Sequence, residues 1–234
     1  MKNYKLSDET KTLPCGTILH RIVATTTFTL ACDITINAGD VGGWIEKESN
    51  LSDNAWVSGD AKVYGKARVS DNAWVHGDAK VSGNAQVSGS AKVFGGALVS
   101  DNACVHRNAV VCGNAVVCGD AEVCGDAQVY GDAWVSGEAL VYGKAAVYGD
   151  AQVYGDAQID GDAKVMNTSD YIVFKSDRSS GRYFTWTKSN DMWLVGCFYG
   201  TGDELIKKAY ADSEDIGKHY EACVKLVEPL KNVE

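Results

Sequence analysis

Two short stretches carry the residue types of a metal site: Cys104 and His106, then, eighteen residues further on, Glu122 and Cys124. Thiolate, imidazole and carboxylate together suit a borderline-soft cation such as zinc, provided that folding brings the two stretches side by side. A second set lies in the last third of the chain. There Arg178, Arg182, Tyr183, Trp186, Lys188, Trp193 and Tyr199 mix cations with aromatics. Such a mixture binds nucleotides, phosphates or acidic protein surfaces through stacking and charge-assisted hydrogen bonds. Each set has a plainer reading: outward positions that drifted into ligand types, and aromatics that form the core of a small domain.

What must position these groups is a six-residue repeat. Alanine stands at 55, 61, 67 and every sixth position to 163, nineteen copies without an insertion, and Val follows two places later, with Ile once at 159. The unit reads A-x-V-x-G-D/N, and the register reaches back less perfectly through Gly43/Ile45 and Ser49/Leu51. A helix cannot use it, because glycine in nearly every unit costs a helix about 1 kcal/mol each and a period of six fits no helical face. A short strand can: alternation by two turns Ala and Val inward, and Gly-Asp or Gly-Asn supplies a corner. One such strand buries almost nothing, so the units must stack.

Composition narrows the function classes. The 234 residues carry 22 Lys+Arg against 31 Asp+Glu, a net charge of −9, which gives no electrostatic footprint for duplex DNA or an anionic membrane. No apolar run of about eighteen residues exists to span a bilayer, and the start, MKNYKLSDETK, does not read as a signal peptide. The eight cysteines are therefore expected as free thiols in a reducing cytoplasm, that of a bacterial host.

The hexads resemble the hexapeptide-repeat, left-handed parallel β-helix family. That resemblance implies three hexads per triangular coil of eighteen residues, hence about seven coils over 43–166. Outward residues eighteen apart then become neighbours. On the first face this gives a column of Trp56, Trp74, Lys92 and Val110, and beside it His76, Phe94, Tyr130 and Tyr148. The strip Trp56, Trp74, Phe94, Val110, Tyr130 and Tyr148 is expected to be an oligomer interface, with a homotrimer favoured by the resemblance. On the third face Cys104, His106, Glu122 and Cys124 share one patch, although a flat wall projects side chains in parallel and weakens the metal reading. Cys112, Cys118 and Cys124 fall on three different faces.

Many enzymes of this family transfer acyl groups from acyl-CoA with a histidine base beside a loop that interrupts the coils. Here His76 and His106 are five hexads apart, on different faces, and no loop breaks the repeats. An acyltransferase would need a site between subunits. The histidine triad of the gamma-type carbonic anhydrases has no counterpart. No cofactor is expected.

The two ends differ from the coils. Residues 1–42, with β-like runs TILHRIVAT and TFTLACDITI, are expected as a β cap. Residues 167–234 are expected as a small α+β domain, with strands at Tyr171–Lys175, Arg182–Thr187 and Met192–Tyr199 and two helices from GTGDELIKKAYADS and about Glu214. GGWIEKESNLSDNAWV, the A-x-V-x-G-D coils and SSGRYFTWTKSNDMW together resemble hexapeptide-repeat proteins of phages and prophages, often labelled polymer-forming or transferase. Fold analogy does not establish that chemistry. The expectation is a mainly β, non-enzymatic oligomeric scaffold, presenting repeated C-terminal sites to a host protein or a small nucleotide-like ligand, with sequestration in counter-defence as one role. An acyltransferase and a purely structural rod are the alternatives.

Overall fold

The computed structural model describes residues 2–31, 33–176 and 182–231. Nineteen two-residue strands, from Trp56–Val57 to Lys164–Val165, sort into three parallel sheets. Each strand pairs with the one eighteen residues away: Trp56 with Trp74, Lys62 with Lys80, Arg68 with Gln86. The result is a parallel β-solenoid of about seven turns with three walls. Its interior holds the Ala and Val/Ile of every hexad, all of them buried. Each fully buried valine contributes about 1.5–3 kcal/mol of transfer free energy relative to exposure, and the short hexad brings all of them onto one axis.

Corners require a left-handed residue. Glycine fills most of them, as at Gly113 (φ 72), where a Cβ would lie 2.8 Å from the Gly131 carbonyl oxygen of the next coil. Asp71 and Asp101 stand in the same conformation, and their carboxylates accept the N–H of Gly89 and Gly119 at 2.8 and 3.1 Å. Aspartate is among the few non-glycine residues that enter this region readily, and here its carboxylate also reaches the backbone of the next coil. Arg107 (φ 64) takes a corner with no carboxylate to offer.

At the first coil, the antiparallel strands Tyr4–Thr12 and Ile18–Ala24 pair onto Val41–Ile45, which joins the second wall through Trp44 and Lys62. The N-terminal strands and the coils thus share one sheet. The Tyr4 hydroxyl lies 2.8 Å from the Glu48 carbonyl oxygen and 2.9 Å from that of Leu51, and the buried Asn50 amide donates to Ala67 O at 2.8 Å. A small hairpin, Phe28–Thr29 with Thr35–Ile36, lays Phe28 edge-on against Trp56 at 5.8 Å between ring centres.

Beyond the last coil comes a four-stranded antiparallel sheet, Tyr171–Ser176, Arg182–Thr187, Met192–Val195 and Phe198–Thr201, then the helices Gly202–Asp212 and Glu214–Lys225. The expected single strand Met192–Tyr199 is two, because Gly196 (φ 59) and Cys197 form a tight turn that folds Phe198 back onto Val195. Thr201 and Glu204 make a reciprocal cap that starts the first helix. The sheet and helices enclose Phe184, Trp186, Trp193, Leu205, Tyr220 and Val224.

This sheet closes the solenoid. Strand groups of the last coil have no further coil to pair with, and side chains take its place. Gln152 N donates to Thr168 Oγ1 (3.2 Å), Gln158 N to Thr185 Oγ1 (3.2 Å), Lys164 N to Ser189 Oγ (2.7 Å) and Met166 N to Asp170 Oδ2 (2.8 Å). The Tyr171 hydroxyl serves two more groups, on Tyr154 and Gln152. Strand N–H groups need partners once no further coil is present, and here they come from Ser, Thr, Tyr and Asp rather than from another strand.

Candidate functional site

On the third wall the strands Cys104–Val105 and Glu122–Val123 are neighbours, with Cys104 opposite Glu122. Backbone bonds from His106 N to Val123 O (3.0 Å) and from Cys124 N to Val141 O (2.9 Å) hold the flanking residues in the same register. His106 Nε2 lies 2.8 Å from Glu122 Oε1, and ligand atoms of His106, Glu122 and Cys124 all lie within 4.8 Å of one another. Burial, followed by the neighbouring Glu122 carboxylate, pushes the Cys124 thiol up to about 11. Cys104 is left out, since its thiol turns to the Asn102 carbonyl of its own coil at 3.6 Å. The wall therefore brings together three of the four residues expected there. An open hollow of about 480 Å³ covers them, lined also by Arg107, Tyr142 and Lys144.

On the first wall Trp74, His76 and Phe94 form a continuous stack, with ring centres 3.8 Å apart for the first pair and 4.7 Å for the second, and Tyr130 stacks on Tyr148 at 5.1 Å. Trp74, Phe94, Val110, Tyr130 and Tyr148 are all partly exposed. Trp56 is a correction: it is 2 % exposed, buried under the Phe28 hairpin, so it belongs to this chain's own core. Burial, then the Lys92 ammonium, lowers the basicity of His76, whose faces are taken up by Trp74 and Phe94. His76 and His106 stand on different walls. Sequence reasoning passed over Trp134 and Tyr154 as interface residues, yet these second-wall side chains are more open, at 49 % and 52 %. Their only sequence signal is a bulky residue in an outward slot.

The cationic and aromatic set of the C-terminal region does not converge as expected. Trp186 and Trp193 are core residues, 1 % and 0 % exposed. The Trp186 indole donates to Asp191 Oδ1 at 2.8 Å, and Trp193 packs edge-on to Phe174 and Phe184. Arg178 lies outside the described residues. Arg182 is exposed on the strand it begins, Lys188 donates its backbone N–H to Asp170 O at 2.8 Å, and Tyr183 stacks under Lys175, with the ammonium 5.4 Å from its ring centre. Tyr199 reaches Asn190, whose amide also holds Asp162 of the last coil. Tyr199 and Lys188 thus sit at the joint between sheet and solenoid.

Two further arrangements had no motif to announce them. Ser176 Oγ lies 2.5 Å from His219 Nε2, with Cys223 Sγ 3.8 Å from the same nitrogen. Ser176 is buried at the end of its strand, so the contact ties the sheet to the second helix. At the other end, Lys11, Lys62 and Lys80 line a hollow of about 500 Å³ with Leu13, Pro14 and Tyr64.

A family model described as the YdcK beta solenoid repeat matches residues 61–77 and 127–143. Each match is close to one coil in length, and both lie within the Ala/Val hexads, so they concern the repeat and not the two ends. This agrees with the observed coils: the chain is a β-solenoid repeat protein. A comparison with curated proteins gives no match. No helix among the described residues is long and apolar enough to cross a membrane.

Proposed function

We propose that this β-solenoid is a non-catalytic scaffold that self-associates through its first wall and acts by binding. The observation that carries the reading is the stacked, half-exposed strip of Trp74, His76 and Phe94, continued by Val110 and the Tyr130–Tyr148 pair, on a wall held flat by its ladder. A largely apolar strip of this kind, with Lys92 between Trp74 and Val110 in its column, favours burial against a matching surface. Closed ends support a finite assembly over an open polymer, because the groups that would template another coil are already bonded. The family resemblance favours three copies.

Such an assembly would present three copies of the C-terminal region, with its exposed Arg182, at one end, giving avidity for a host protein or a small phosphate-bearing ligand. In the phage or prophage setting that the resemblance implies, it would act on its target in the cytoplasm by occupancy rather than turnover. Light scattering tests the assembly. The native chain should have the mass of a trimer, and Trp74→Glu with Phe94→Glu should reduce it to one copy while circular dichroism stays unchanged. An unchanged mass in the double variant, or a native monomer, overturns the proposal.

A further inference from the structure

The geometry points to a divalent transition-metal site, best suited to zinc, formed by His106, Glu122 and Cys124 on the third wall. Three different ligand types meet there: an imidazole nitrogen, a carboxylate oxygen and a sulfur, with ligand atoms all within 4.8 Å of one another. Zinc holds N, O and S donors at about 2.0–2.3 Å, which places ligand atoms of one tetrahedron roughly 3–4 Å apart. His106 Nε2 and Glu122 Oε1, at 2.8 Å, need only separate slightly, and Cys124 needs only a small approach. The mixed donor set fits zinc better than magnesium or calcium, which take oxygen ligands.

The backbone beneath the three residues is unusually well fixed for a surface site. His106 and Cys124 are each bonded to the next coil through their own N–H groups, so ordering on metal capture falls on side chains alone. Three protein ligands leave a fourth position, which would face the hollow lined by Arg107, Tyr142 and Lys144. With a thiolate and a carboxylate balancing the metal's charge, those two cations suit water, hydroxide or a small anion at that position. Arg107 itself occupies a left-handed corner that glycine fills in most coils, so a cation is kept at this spot against the backbone preference.

The site is independent of the proposed assembly, since it lies on a different wall. The full chain, stripped with a chelator, would be titrated with Zn²⁺ by calorimetry and with Co²⁺ by absorption spectroscopy. The expected result is one metal per chain and a thiolate-to-cobalt charge-transfer band. Cys124→Ser should abolish that band, His106→Ala and Glu122→Gln should each weaken binding at least tenfold, and Cys104→Ser should leave both unchanged. All four side chains point outward, and Cys124→Ser is nearly isosteric, so thermal melts of the variants should match the parent. Absence of saturable binding by the native chain overturns the site. So does a charge-transfer band that survives in Cys124→Ser, which would place the metal on other cysteines.

Discussion

The Tyr171 hydroxyl stands in for a missing coil: it accepts the Tyr154 backbone N–H at 3.3 Å and donates to the Gln152 carbonyl at 3.1 Å. Tyr171 is 6 % exposed, so water does not readily replace it. Tyr171→Phe would leave a partly buried donor and acceptor without partners, a loss of about 1–3 kcal/mol. Urea denaturation followed by circular dichroism should show it, with the solenoid signal otherwise unchanged.

Removal of everything after Met166 is a harsher version of the same change. It uncovers the strand edges of the last coil, Gln152–Val153, Gln158–Ile159 and Lys164–Val165, together with the end of the apolar column. An open parallel edge templates further pairing. The shortened chain should therefore form concentration-dependent particles larger than the native assembly in light scattering, and unchanged particle size would show that closure at this end does not limit association.

Two glycines separate conformational strain from crowding. Gly155 (φ 66) has nothing within 4 Å of a built Cβ, whereas at Gly113 (φ 72) the Cβ would meet Gly131 O at 2.8 Å and Gly131 N at 2.9 Å. Gly155→Ala should cost only the left-handed penalty of about 1–2 kcal/mol. Gly113→Ala should cost clearly more, because the next coil's backbone must also move. Paired melting curves would give the difference directly.

Arg107 gives the opposite sign. With φ 64 it bears the left-handed penalty without the carboxylate bond that relieves Asp71 and Asp101. R107G should stabilise the chain by about 1 kcal/mol, offset in part by the greater freedom of glycine in the unfolded state. Chemical denaturation checks this, and a destabilised variant would mean that the Arg107 side chain makes a compensating contact of its own.

Cysteine reactivity should follow pH in a stated order. Hydrogen bonds from Thr17 lower the Cys15 thiol below its ordinary value, while burial and Glu122 push Cys124 up to about 11. The thiolate is the reactive form. Near pH 8 Cys15, on an exposed turn, should therefore be alkylated early. In the chelator-stripped chain Cys124 should react slowly and accelerate only as pH rises toward 11, and peptide mass mapping of a time course would resolve the two.

The coils were legible because each hexad states its own structure: Ala and Val two apart can only share the inner face of a strand, and Gly-Asp marks the corner. The columns followed once eighteen residues made a turn, which is why Cys124 could be placed beside His106 from sequence. What failed depended on segments that do not repeat. Trp56 looks outward in its hexad, and only the Phe28 hairpin, remote in sequence, buries it. Trp186 and Trp193 pair across neighbouring strands, and it is the two helices that decide which side of that sheet is inside. The cap residues Thr168, Thr185 and Ser189 were invisible for the same reason, since a hydroxyl declares no partner until two surfaces meet. Cys104 shows a finer limit: register put it beside Glu122, and rotation about a single bond took its sulfur elsewhere.

The pairing step of eighteen, as between Trp74 and Lys92, also governs how such a chain can change length. Gain or loss of one whole coil would move the two ends apart or together by about 4.8 Å and leave every wall facing the same way. Gain or loss of a single hexad would swing the C-terminal sheet onto the next wall, a third of a turn around the axis. The chain is in this sense a ruler with coarse graduations, able to alter reach freely but orientation only in three settings.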